Sequence, residues 1–211
     1  MSYQGESPPT RTALLDLRHR LREARHGFLL LERKREVLLR ELWSLMRVVS
    51  HTDRDVRERF RLAYDAIARA RLVMGDEGVG WAGLAPAART RYTLEVRSVM
   101  GVALPQLNLQ VEPLPLPYSP WGTSVAFDHA RERWIAVGRV LGTWAETIGA
   151  TWRVAAELER TARRVKALEH VLIPQYEADI RRIEHALEEQ ERESFVQAKR
   201  LKRQKEEAAD A

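Results

Sequence analysis

The chain has 211 residues, 31% charged and 45% hydrophobic, a balance that suits either one compact domain or one highly elongated one. It contains no cysteine, which excludes a disulfide framework, a thiolate metal site and a thiol nucleophile and fits a reducing compartment. Its net charge of +5 is the small excess of 35 basic over 30 acidic residues interleaved along the chain, the pattern of a solvated helical exterior more than of a phosphate track.

No stretch approaches the roughly 18 consecutive apolar residues of a membrane span, and Met1 to Pro9 has neither the basic start nor the apolar run of a signal peptide. The expectation is a soluble, cytoplasmic protein with disordered ends at 1–9 and 209–211. Prolines and glycines cluster before residue 10 and between 75 and 122, leaving two long stretches nearly free of helix breakers.

The first long stretch, 10–75, opens at Thr10, placed after Pro9 to cap a helix. From there Leu14, Leu17, Leu21, Ala24, Phe28, Leu31, Arg35, Leu38, Leu42, Leu45 and Val49 recur at alternating spacings of three and four, and only Arg35 is not apolar. Such a repeat keeps one narrow seam facing a partner helix and winds the pair left-handed. Beyond Ser50 a shifted set takes over, with Phe60, Ala63, Ile67, Ala70 and Met74, as a stutter produces.

The middle segment, 76–122, differs in kind. Gly75 to Gly83 reads as a glycine-rich loop. Arg91 to Val99 and Leu107 to Val111 alternate as strands do, joined by Met100 to Gln106, which predicts a β-hairpin in a small head. Pro113 to Pro120, PLPLPYSP, reads as an extended, stiff connector, with docking into an aromatic groove as the alternative.

The second long stretch, 123–208, carries Leu141, Trp144, Ile148, Thr151, Ala155, Leu158, Ala162 and Val165 on one seam, continued by Leu168, Leu172, Tyr176, Ile180, Ile183 and Leu187. The phase changes near Pro174, which cannot donate to the carbonyl of His170 and is expected to bend the helix without ending it. At 1.5 Å per residue the two helices run to about 95 and 120 Å, too long for a globule of this size.

Folding back antiparallel buries both seams, with facing residue numbers adding to about 200. The fold class is therefore mainly α: a long antiparallel two-helix left-handed coiled coil, a helical hairpin, with a small head containing a short β-hairpin. This register sets Arg35 opposite the region of Glu169, and an ion pair between them would satisfy the seam's one charge while fixing register more than adding stability.

Sites of chemistry are sparse. None of the six histidines pairs with another at the helical spacing of a metal site, and no glycine-rich phosphate loop with its lysine occurs, so no metal or cofactor is expected. Acidic pairs such as Glu188-Glu189 sit among Arg and Lys without the apolar burial that raises a carboxyl pKa for acid–base work. The basic tail Lys199, Arg200, Lys202, Arg203 and Lys205 leaves nucleic-acid binding open, though Glu206 and Glu207 interrupt it and only Phe195 lies beside it as a stacking ring. Trp144 fits the seam, while Trp134 and Trp152 would mark a partner-contacting face.

Several segments together resemble the D subunit of the central stalk of V/A-type rotary ATPases. They are Pro9-Thr10-Arg11, the pattern of Gly27, Leu30, Leu31, Lys34, Arg35 and Leu38, VMGVALPQL at Val99 to Leu107, TARRVKALEHVLIP at Thr161 to Pro174, and EEQERESFVQAKRLK at Glu188 to Lys202. Lys166 stands where the family pattern has Asn. The resemblance implies a non-catalytic rotor shaft that inserts into a ring of catalytic and non-catalytic subunits (A and B type), with its head meeting a small stalk subunit (F type) and a membrane-rotor adaptor (C/d type). It implies a cytoplasmic location peripheral to a membrane-bound complex, without membrane insertion or nucleic-acid binding.

On this reading Arg163, Arg164, Glu188, Glu191, Arg192, Lys199 and Lys202 face the ring, and Val99, Met100, Gly101, Val102, Leu104 and Leu107 lie in the partner-bearing head. Leu14, Leu17, Leu21, Phe28, Leu31, Arg35, Leu38, Leu42, Leu45, Leu158, Val165, Glu169, Leu172, Ile180, Ile183 and Leu187 form the seam. The residues alone also allow a coiled-coil tether or a nucleic-acid-binding helical hairpin.

Overall fold

A computed structural model describes residues 8–115, 118–119 and 121–209, with side chains to Lys202. The expected disorder of both ends falls largely outside the described residues, as does part of the proline-rich connector. In chain order come α1 (Arg11–Gly83), β1 (Ala88–Val99), β2 (Val102–Pro113), α2 (Val125–Ala167), a π-helical turn (Leu168–Leu172) and α3 (Ile173–Ala209). The chain divides into two compact units, Met1–Arg35 with Arg160–Ala211, and Glu36–Glu159.

In the first unit, the start of α1 runs antiparallel to α3. Thr10 caps α1 as expected, its hydroxyl accepting from the Ala13 amide at 3.2 Å. Leu17, Ile180 and Ile183 form the buried centre, with Leu14, Leu21, Tyr176 and Leu187 packed around it. Beside this seam a ladder crosses between the helices: Arg11 to Glu191 at 2.6 Å, Arg18 to Glu184 at 2.6 Å, and Arg25 to Glu177 at 2.7 Å. Each rung lies one heptad along from the last on both helices, in opposite directions, so the antiparallel register is written in charge as well as in apolar packing. The rungs are solvent-exposed, and each contributes little individually.

The predicted pair between Arg35 and Glu169 is not formed. Arg35 pairs with Glu32 one turn back at 2.9 Å, and Glu169 is exposed beside His170 at 3.6 Å. The flexible arginine stem carries its charge out to water and a partner on its own helix, which avoids desolvating two ions in the seam.

Pro174 leaves its mark just upstream. The Ile173 amide donates to the Leu168 carbonyl, an i to i+5 bond, and the single π turn absorbs the missing proline donor while the helix continues as α3. The side chains from Glu188 to Lys202 are all exposed.

The second unit corrects the middle segment. Gly75 has φ +74°, where glycine is favoured, and marks a kink at the expected end of the first helix. The helix then resumes to Gly83, so the glycine-rich stretch is helical where a loop was expected: Val79 and Ala82 bury against Ala70, Phe127 and Ala130. The hairpin is longer than its alternation suggested, pairing Ala88 with Pro113 through Val99 with Val102. The residues 102–106, expected as connection, are strand. The turn is Met100-Gly101 alone, both at positive φ (50° and 80°), as a two-residue type I′ turn requires.

β2 lies along α2. Val102 and Leu104 join Leu38, Ala150 and Val154 in one buried cluster, with Leu42, Leu45 and Leu158 around it. Between Ser50 and Phe60, where the heptad weakened, Thr52 and Val56 are buried, and the Thr52 hydroxyl is satisfied by the Val48 carbonyl at 2.8 Å.

Candidate partner-binding surfaces

The ribbon is seated on α2 through three glycines. A Cβ on Gly149 would stand 3.5 Å from Pro105, one on Gly142 would stand 2.5 Å from Leu109, and one on Gly138 would stand 3.6 Å from Val111. Between the first two contacts the Leu107 amide donates to the Glu146 carboxylate at 2.9 Å. Isolated glycines inside a strong helical pattern signal such close backbone approach, and this was the available clue to where the ribbon rests.

Both ends of the ribbon are tied by arginines. Arg131 donates to the Ala87 carbonyl at 3.1 Å and to the Leu114 carbonyl, clamping the open end. Near the turn, Arg153 donates to the Ala103 carbonyl at 3.0 Å and Arg97 to Glu41 at 2.9 Å.

At the base of α2, Tyr118 stacks edge-on against Phe127, 5.1 Å between ring centres, and donates to the Asp128 carboxylate. Burial first, and then this hydrogen bond to a negative group, push the phenol up to about 12 from the usual 10. The folded state therefore holds the proton more tightly than the unfolded one. Its contribution is complete below pH 10 and lost as pH climbs through about 12. Melting curves collected across that alkaline window should fall less steeply for Tyr118→Phe than for the parent chain; identical slopes would contradict the assignment.

The expected site residues fall into groups. Arg163, Arg164, Lys199 and Lys202 are exposed. Glu188 and Arg192 are exposed and 3.6 Å apart, Arg192 also lies 3.3 Å from Glu189, and Glu191 holds the first rung of the ladder. Lys166, where the family pattern has Asn, points to solvent, so the exchange alters no packing.

Of the head residues, Met100 and Gly101 are exposed at the turn, but Val102 and Leu104 are buried in the core cluster and Val99 packs against it. Trp134, expected on a partner face, instead meets Phe60 and Tyr64 edge-on at 5.9 and 5.3 Å. Trp152 is exposed. Large apolar side chains left exposed include Trp81, Leu84 and Trp121 near the helix–ribbon junctions, Leu72 further back on α1, and the row Tyr92, Leu94 and Val96 on β1.

Among the described residues no cluster of three or more His, Cys, Asp or Glu stands ready for a metal, and no helix is long and apolar enough to cross a membrane. The geometry defines an antiparallel helix pair with a charged ladder in the first unit and a β-ribbon mounted on a helix in the second.

The family model for the ATP synthase D subunit matches residues 13–203, and the chain belongs to that family. It is 34% identical over 197 residues to the V-type ATP synthase D subunit 2 of Treponema pallidum, covering 93% of this chain and 94% of the relative. It is also 34% identical to the A-type ATP synthase D subunit of Methanosphaera stadtmanae, covering 92% of each. To the V-type ATP synthase D subunit of Thermotoga neapolitana it is again 34% identical, covering 92% of this chain and 96% of the relative.

Proposed function

We propose that this chain is the central rotor shaft of a V/A-type rotary ATPase or ATP synthase, transmitting torque between nucleotide chemistry in a catalytic ring and ion translocation by a membrane rotor. The observation that carries this reading is the paired seam and heptad-spaced Arg–Glu ladder in a chain of the ATP synthase D-subunit family. Buried, laterally linked helices resist twisting, which a single helix does not.

An asymmetric shaft inside a ring of near threefold symmetry touches its three catalytic interfaces unequally, so each is biased toward a different nucleotide affinity. Linkage makes that bias reciprocal: torque on the shaft changes nucleotide affinity, and nucleotide turnover turns the shaft. The mixed, hydrated charges of Arg163, Arg164, Glu188, Arg192, Lys199 and Lys202 suit a surface facing ring subunits of A and B type, because weak exposed pairs do not lock one rotational position.

The exposed Met100 turn and the apolar side chains near the helix–ribbon junctions are assigned to the small stalk subunit and the membrane-rotor adaptor, in place of the buried Val102 and Leu104. The chain performs no catalysis itself and works at the membrane periphery. Imaging of the complex purified through this chain should place it at the centre of a six-membered ring, and Arg163→Ala with Arg164→Ala should weaken coupled ATP turnover. A complex lacking such a ring, or ATP hydrolysis by the isolated chain, would overturn the reading.

A further inference from the structure

β1 is the outer strand of a two-stranded ribbon, and among the described residues nothing pairs with its second edge. In a hairpin closed by a two-residue type I′ turn the flanking residues, here Val99 and Val102, form a hydrogen-bonded pair. Odd-numbered residues of β1 therefore spend their backbone groups on β2. Even-numbered ones from Thr90 to Ser98 turn their amides and carbonyls outward.

Along this edge sit Tyr92, Leu94 and Val96, exposed by 71%, 61% and 66%. Their cross-strand partners Leu109, Leu107 and Pro105 are half-buried on the side of the ribbon where β2 meets α2. The apolar face thus begins on β2, where α2 covers it, and continues onto β1, where no element among the described residues covers it.

Long edges are ordinarily blunted by proline, a bulge, charged side chains or short length, because an open row of backbone groups with apolar side chains recruits another strand. β1 is twelve residues long and contains no proline. Its other face carries Arg89 and Arg91, which form no ion pair among the described residues, while Arg97 is committed to Glu41.

We propose that β1 is an acceptor strand: an extended segment of another subunit of the ATPase pairs along its free edge as the third strand of the ribbon. The added segment alternates apolar residues, which extend the Tyr92–Leu94–Val96 row, with acidic residues set against Arg89 and Arg91. Backbone pairing supplies affinity, and the two rows of side chains supply selection. A second copy of this chain fits less well, because the row it would present carries Arg89, Arg91 and Arg97 beside a single carboxylate, Glu95. Self-pairing centred on Thr93 or Leu94 brings Arg97 against Arg89 or Arg91. The inference rests on the chain's place in a rotary complex and specifies one contact within it.

Residue-resolved hydrogen exchange on the full chain, free and within the complex isolated through it, tests the assignment. In the free chain the Tyr92, Leu94 and Val96 amides should exchange freely while those of Thr93 and Glu95 are protected by β2; in the complex the first three should slow by about tenfold or more. Leu94→Pro removes one outward donor and no bond to β2, so the free chain should melt as before while protection at Tyr92 and Val96 in the complex is lost. Leu94→Lys, which leaves the backbone intact, should weaken the same protection, and Leu94→Ala should largely keep it.

Equal exchange of the β1 edge in the free chain and the assembled complex would overturn the acceptor strand and leave the shaft untouched. Protection in the free chain that rises with its concentration would overturn it in favour of self-pairing. Absence of the chain from any rotary complex would remove both.

Discussion

Leu38→Ala should lower the stability of the chain by roughly 2–5 kcal/mol, the range for emptying a buried leucine site that cannot collapse. Leu38 has no exposed surface, and it lies on α1 against Val102 and Leu104 of β2 and Ala150 and Val154 of α2. Three elements distant in sequence converge on this side chain, so removing its isobutyl group opens a space bounded by two helices and a strand. No single wall can move in without loosening its grip on the others. The neighbouring Leu39, exposed on the same helix, is the control; its truncation should change stability by no more than about 0.5 kcal/mol. Denaturant titration of the two variants checks the contrast, and a Leu38→Ala loss as small as that of Leu39→Ala would mean that the ribbon does not rest where the structure puts it.

Gly142→Ala should also destabilise, against the usual trend for a helix. Alanine in a helix interior is ordinarily favoured over glycine by about 1 kcal/mol. Here the new methyl would stand 2.5 Å from the Leu109 Cβ, an atom fixed to the strand backbone, so relief requires the ribbon to lift from α2. Overpacking of this kind costs about 1–3 kcal/mol, enough to reverse the sign. Gly27 supplies the comparison, since a Cβ there meets nothing within 4 Å and Gly27→Ala should stabilise by about 0.4–1 kcal/mol. Opposite shifts in Tm for two identical substitutions in helices are the expected result. A rise in Tm for both would show that strand and helix do not approach as closely as Leu109 and Gly142 indicate.

Much of the helical architecture is legible along the chain because its physics is periodic. Leu14 to Val49 and Leu141 to Leu187 repeat at the spacing that only a pair of supercoiled helices buries, and the seam residues Leu17, Leu38, Val165, Ile180 and Ile183 are buried in their units. Pro174 announced a local change, and the π turn is the form that change takes. The ribbon was half legible. Its alternation was visible from Arg91, but Val102 to Gln106 includes Pro105 and reads as connection until strand pairing with β1 is seen.

The candidate site was less legible, since the pattern along a strand reveals two faces without revealing which one the rest of the chain covers. Val102 and Leu104 were read as partner-facing and are core; Tyr92, Leu94 and Val96 have the same apolar character and are exposed.

By itself the sequence determined the two helices, their antiparallel pairing and the family, because heptad spacing and local motifs are properties of neighbours along the chain. Tertiary structure alone decided that Arg35 turns to Glu32, that α1 resumes beyond Gly75, and that β2 takes the seat on α2 and leaves β1 open. Those outcomes depend on which groups the whole fold brings to contact distance and which it leaves in water. A side chain with several acceptable partners is settled by packing and desolvation, which no one-dimensional pattern records.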